Sequence, residues 1–185
     1  MNTILYTTMI KGYSKTKNLP AALKIFRTMR KDSSVHPNNV TYNSLLDCAV
    51  RCDDLKTAEE VFNDMQTLMT PDLISYSTII KGYCRCQDLT KALKILTEMK
   101  NVGILPDEVL FNSLLDGCAK MGALDLAKEV YKEMRNMSIK PSNVTYSILI
   151  KLYGKGRQIE RALDILEEMK QANVAPGMIV YTCLI

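Results

Sequence analysis

Residues 71–106 read PDLISYSTIIKGYCRCQDLTKALKILTEMKNVGILP, and this stretch decides the fold. It opens and closes on proline, with two helical apolar patterns between. In the second pattern Ala92, Leu96 and Met99 follow at intervals of four and three, the spacing of one buried helical stripe. The small Ala92 lets a neighbouring helix approach closely, and Pro106 then prevents the chain from continuing as helix. In the first pattern Tyr76, Ile79, Ile80 and Tyr83 fall within about 100° of arc at 3.6 residues per turn, so they form a core face. Ile74, Ser77, Lys81 and Arg85 share about 80° on the other side, and that face is too polar for a core.

The pattern repeats along the whole chain. Prolines recur at Pro37, Pro71, Pro106, Pro141 and Pro176, at intervals of 34, 35, 35 and 35. Three further ladders keep step: Ala22, Ala58, Ala92, Ala127 and Ala162; Met29, Met65, Met99, Met134 and Met169; and Tyr6, Tyr42, Tyr76, Phe111, Tyr146 and Tyr181. A fixed period of this length marks a stack of supersecondary units. The expected architecture is all-α, an α-solenoid of helix-turn-helix repeats wound as a right-handed superhelix. Counting each unit from two residues after its proline, the repeats are 3–38, 39–72, 73–107, 108–142 and 143–177, with a partial sixth at 178–185. The length varies only between the Met and the Pro, which marks a loop there.

Bulk composition fits a folded chain. Of 185 residues 47% are apolar and 24% charged, which argues against disorder. Charged residues interrupt every apolar stretch long enough to cross a bilayer. The net charge of +4 permits a polyanionic partner without requiring one. The cysteines are Cys48, Cys52, Cys84, Cys86, Cys118 and Cys183, without the spacing of a zinc knuckle, and His36 is the only histidine. Buried or half-buried thiols in a reducing compartment are expected, with no metal and no cofactor. With no Gly-rich phosphate loop either, an enzyme is not expected.

Function is expected on the polar face of each first helix. Position thirteen is basic in every complete unit: Lys15, Arg51, Arg85, Lys120 and Lys155. It closes the first helix, so compensation of the helix dipole is one reading. A row of phosphate contacts, one per repeat, is the other, and the two are compatible. Position five is always short and hydrogen-bonding: Thr7, Asn43, Ser77, Asn112, Ser147 and Thr182. Position two is always β-branched and apolar: Ile4, Val40, Ile74, Val109, Val144 and Ile179. That column alone also suits an N-terminal staple or packing between repeats. Taken with position five it suits a base slot, the apolar side chain against a base face and the polar one at its edge.

Segments such as HPNNVTYNSLLDCAV, TPDLISYSTIIKGYC and KPSNVTYSILIKLYG, each followed by a segment like LTKALKILTEMK, resemble pentatricopeptide repeats of the plain 35-residue type. The resemblance spans essentially the whole chain. It implies binding of single-stranded RNA, one base per repeat. It also implies base choice by a pair, position five and the last residue of the same repeat. Thr7 with Asn38 implies adenine, Asn43 with Asp72 uracil, Ser77 with Asp107 guanine, and Asn112 with Ser142 cytosine or uracil. Ser147 is paired with Gly177, which has no side chain to read with, so the implied site is 5′-A-U-G-C-N-3′. Asn2 would close a preceding repeat. The family further implies work in organellar RNA processing, stability or translation, with other factors as further partners. Its address is mitochondrial or chloroplast, although no targeting segment is visible before the first repeat.

A peptide-binding scaffold like the 34-residue tetratricopeptide repeats is the alternative. Those usually carry a Trp column, which this chain lacks, and a peptide binder has no reason to restrict position five to Thr, Ser and Asn. The chain stops at GMIVYTCLI inside the first helix of the sixth unit. Ile179, Tyr181 and Leu184 are therefore expected to be exposed, and a fragment of a longer array is expected.

Overall fold

The computed structural model describes residues 2–182, except for the side chain of Ile179. Among these residues there are eleven helices and no strand. They run in pairs: α1 (Thr3–Lys15) with α2 (Leu19–Lys31), α3 (Asn39–Arg51) with α4 (Leu55–Leu68), and α5 (Leu73–Arg85) with α6 (Leu89–Asn101). Then come α7 (Glu108–Met121) with α8 (Leu124–Asn136), α9 (Asn143–Lys155) with α10 (Ile159–Gln171), and the short α11 (Met178–Thr182). The helices form two compact units, divided between Leu105 and Pro106.

The core follows the ladders. Ala22, Met29, Ala58, Met65, Ala92, Met99, Ala127, Met134, Ala162 and Met169 are fully buried, as are Tyr42, Phe111 and Tyr146. In the first unit the position-four ring meets the aromatic side chain of the preceding second helix edge to face. Phe26 and Tyr42 have centroids 5.1 Å apart, and Phe62 and Tyr76 5.3 Å, both at 74°. Several tyrosine hydroxyls are satisfied by carboxylates, while that of Tyr146 is buried without a hydrogen-bond partner among the described residues. Tyr42 donates to Asp64 at 2.7 Å, and Arg30 of the preceding second helix reaches the same oxygen at 2.9 Å. In the second unit Glu168 plays this part, accepting from Tyr131 at 2.7 Å and from Arg135 at 2.6 Å. A carboxylate bonded from the preceding repeat ties the two repeats in register, beyond what apolar contact specifies.

Caps set the helix starts. Asn2, Asn38, Asp72 and Asp107 each accept the N–H three residues on, and Ser142 accepts from Val144. The turn between paired helices is left-handed at Lys17, Asp53, Gln87, Gly122 and Arg157, the same position of each repeat. Glycine occupies it only once. In YGKGRQ the left-handed residue is Arg157, not a glycine. Gly156 serves close approach instead, because a Cβ there would lie 2.9 Å from Leu124. The two repeats of irregular length close their second helix differently. After α2 the chain turns on Asp32, which accepts from the Ser34 hydroxyl at 2.6 Å, and α4 leaves directly into extended chain at Met69.

Candidate nucleic-acid interface

Helix periodicity brings positions two, five, nine and thirteen of each first helix to one side. Position two is solvent-exposed throughout its described column: Ile4 at 75%, Val40 at 49%, Ile74 at 61%, Val109 at 68% and Val144 at 56%. Staples and inter-repeat packing would bury these side chains, so neither explains the column. The Ile179 side chain lies outside the described residues, as do Cys183 and Leu184. Tyr181 is exposed.

Position five lies deeper. Thr7 is buried, and Asn43, Ser77, Asn112 and Ser147 are half-buried. The last-residue column, Asn38, Asp72, Asp107 and Ser142, doubles as the helix caps described above. One pair is in direct contact: Asn43 Nδ2 donates to Asp72 Oδ1 at 3.0 Å and to Oδ2 at 3.3 Å. Burial works to raise the Asp72 pKa, but the Ser75 N–H, the Asn43 amide, the Ser75 hydroxyl and the Ile74 N–H outweigh it and hold the carboxyl below its ordinary value. In repeat one the contact passes through a third residue. Thr7 and Thr41 hydroxyls lie 2.8 Å apart, and Thr41 donates to Asn38 at 3.0 Å. In repeat four Asn112 accepts from the Thr145 hydroxyl at 2.8 Å and donates to Glu108 at 3.0 Å, without touching Ser142. In repeat five Ser147 donates back to Asn143 O at 2.7 Å. Ser77 and Asp107 belong to different units; the Ser77 hydroxyl is buried without a partner among the described residues.

Two clefts of about 340 Å³ coincide with these columns. In the first unit Val40, Ile74, Asn43 and Asp72 line one, together with Lys11, Lys15, Asp47 and Arg51. In the second unit Val144 and Ser147 line the other, with Asp116, Lys120, Lys151 and Lys155. Each therefore combines an apolar wall, short hydrogen-bonding groups and cations.

The cations are not equivalent. All of position thirteen is exposed. Arg51 pairs with Asp47 at 2.6 Å, Lys120 with Asp116 at 2.6 Å, and Arg85 with Asp53 of the preceding repeat at 2.7 Å. Lys15 and Lys155 have no carboxylate partner among the described residues, and neither do the position-nine lysines Lys11, Lys81 and Lys151. Position nine alternates along the sequence, lysine in odd repeats and aspartate in even ones. The position-three hydroxyls Thr41, Ser75 and Thr145 were not among the expected site residues; their signal was the capping-box spacing to Asn38, Asp72 and Ser142. Thiol chemistry adds nothing to this face. Burial pushes the Cys48 thiol up to about 12 and that of Cys118 to about 11. Among the described residues no cluster of His, Cys, Asp or Glu could hold a metal ion.

Paired helices repeated along the chain, with short polar side chains between exposed aliphatic ones on one face, define a helical-repeat protein. Family comparison makes the assignment specific. The PPR repeat family matches residues 1–51, 71–120 and 106–155, the pentatricopeptide repeat domain 32–85, and the PPR repeat 144–174. The chain belongs to the pentatricopeptide repeat family. A chloroplastic pentatricopeptide repeat-containing protein of Arabidopsis thaliana is 35% identical over 66 residues, which are 36% of this chain and 8% of that protein. The crystal structure of the pentatricopeptide repeat protein PPR10 from maize superposes with a TM-score of 0.87 at 26% identity, covering 98% of this chain and 26% of that one. The PPR domain of Arabidopsis thaliana protein-only RNase P 1, solved in complex with tRNA, shares the fold at a TM-score of 0.79 and 18% identity, covering 97% of this chain and 95% of that one. The chain thus spans about a quarter of maize PPR10 and less of its Arabidopsis relative.

Proposed function

We propose that this chain binds single-stranded RNA in a sequence-specific manner, one base per repeat. The cleft between Val40 and Ile74, with Asn43 and Asp72 in its lining, is the observation that carries this reading. Two exposed aliphatic side chains can flank a base, and the bonded amide and carboxylate offer a donor beside an acceptor to its edge. Lysines in the same cleft supply charge for the backbone. A second observation supports the transfer from relatives: the PPR10 structure has also been solved with an 18-nt psaJ RNA element.

Applied to each repeat, the reading pairs favour 5′-A-U-G-C-N-3′. The role is one of recognition rather than catalysis, in RNA processing, stability or translation, and the chloroplastic relative favours an organelle as its setting. Selection from a random RNA pool should return this order of bases. Replacing Asn43 by Thr should move the preference at the second base from uracil to guanine. An unchanged preference removes the pairing rule from repeat two.

A further inference from the structure

The reading pairs of repeats one, two and four are each tied to a buried hydroxyl at position three of the following repeat. We infer that Thr41, Ser75 and Thr145 are specificity-determining positioning residues: each orients the position-five side chain of the repeat before it, and so selects which atom meets the base. This rests on the RNA reading proposed above. All three are fully buried, so they act through position five and not on RNA directly.

Repeat two shows the logic. The Asp72 carboxylate accepts hydrogen bonds and cannot donate, so the NH₂ end of Asn43 faces it, at 3.0 and 3.3 Å. Asn43 Oδ1 is then turned to Ser75 Oγ, 2.7 Å away. A carbonyl oxygen only accepts, so Ser75 donates, while its own oxygen accepts the Asp72 N–H at 3.2 Å. Asp72 Oδ1 also lies 2.9 Å from the hydroxyl, but it already takes the Ser75 N–H at 2.9 Å and the Asn43 amide. Flipping the Asn43 amide would set its oxygen against the carboxylate, acceptor to acceptor. One Asn43 N–H and the remaining Asp72 lone pairs are left for a ligand.

Repeat four reaches the same amide orientation with a different partner. Thr145 donates to Asn112 Oδ1 at 2.8 Å, and the Asn112 NH₂ group donates to Glu108 at 3.0 Å. In repeat one the Thr7 and Thr41 hydroxyls lie 2.8 Å apart, with Asn38 Oδ1 3.0 Å from Thr41. Repeat five is the counterexample within the molecule. Position three of the sixth unit is Val180, which has no hydroxyl. Ser147 there turns back on its own helix, toward Asn143 O at 2.7 Å and Asn143 Oδ1 at 3.2 Å. In that repeat the position-five hydroxyl spends its proton on its own helix.

The test separates a reading role from the capping role that these hydroxyls also have. Binding of the full chain is measured to RNAs carrying each of the four bases at the second position of AUGCN, and separately at the fourth. Ser75→Ala should lower the base preference at the second position about fivefold and leave the fourth unchanged. Thr145→Val should do the reverse, and Ser75→Thr, which restores the hydroxyl, should keep both preferences. Retention of the second-position preference by Ser75→Ala overturns the inference, as does an equal fall at both positions, the mark of a folding role. Those results leave RNA reading intact. A wild-type chain without base preference at either position removes the reading and the relay together.

Discussion

Asp72 meets three demands at once. It caps α5, bonds Asn43, and lines the cleft between Val40 and Ile74. Burial opposes its ionisation, and four hydrogen bonds more than offset that. Its folded pKa is therefore below the ordinary 3.8, so its stabilisation is complete above that value and is lost as pH falls through the lowered one. An NMR titration of the Asp72 carboxyl should show a midpoint below 3.8, moving upward in Asn43→Ala; a midpoint above 3.8 contradicts the bonding described. Gln87 poses a backbone question. It holds a φ of 61° that suits glycine, at the position Gly122 fills in repeat four. A non-glycine residue there costs about 1 kcal/mol. Gln87→Gly should accordingly raise stability by up to about 1 kcal/mol, seen as a higher urea midpoint.

At the scale of the element, the first helix divides its labour by periodicity. Positions four, seven, eight and eleven are buried, as Tyr76, Ile79, Ile80 and Tyr83 show, while position two stands in solvent. The N-cap column of Asn, Asp and Ser caps the first helices and also lies on the proposed reading surface. Near the C-terminal end a carboxylate at position nine neutralises the cation at thirteen one turn away, as Asp116 does for Lys120 at 2.6 Å. Such an exposed pair contributes little to stability, about 0.3–0.5 kcal/mol. It does hold a cation away from any phosphate. Asp116→Asn should free Lys120, strengthen RNA binding and steepen its salt dependence by about 0.7 in log–log slope, with little change in the unfolding midpoint. An unchanged slope places Lys120 outside the phosphate path.

Over the whole molecule, ion pairing shifts the charge expected to meet RNA without changing its amount. Position thirteen offers five cations, of which Arg51, Arg85 and Lys120 are paired. Lys11, Lys15, Lys81, Lys151 and Lys155 lack carboxylate partners among the described residues. Five phosphate contacts should give a single-strand salt slope near about −3.5. Binding indifferent to salt removes the phosphate contacts. Lys151→Gln and Lys155→Gln should each flatten the slope by about 0.7, which assigns the contacts to lysines at positions nine and thirteen together.

The sequence by itself determined the repeat, its helix pairs, the buried ladders and the columns at two, five and thirteen. These are properties of periodicity, and each recurs five times or more, so a local pattern suffices to state them. Tertiary structure decided what passes between repeats. Ser75 bonding Asn43 and Arg85 reaching Asp53 join residues 32 positions apart, a distance at which no helical period speaks. It also decided that position two is exposed rather than packed, which sets aside the packing reading of that column. Side-chain identity shows what a residue can donate or accept; only its neighbour in the next repeat shows which of those capacities is left for a ligand.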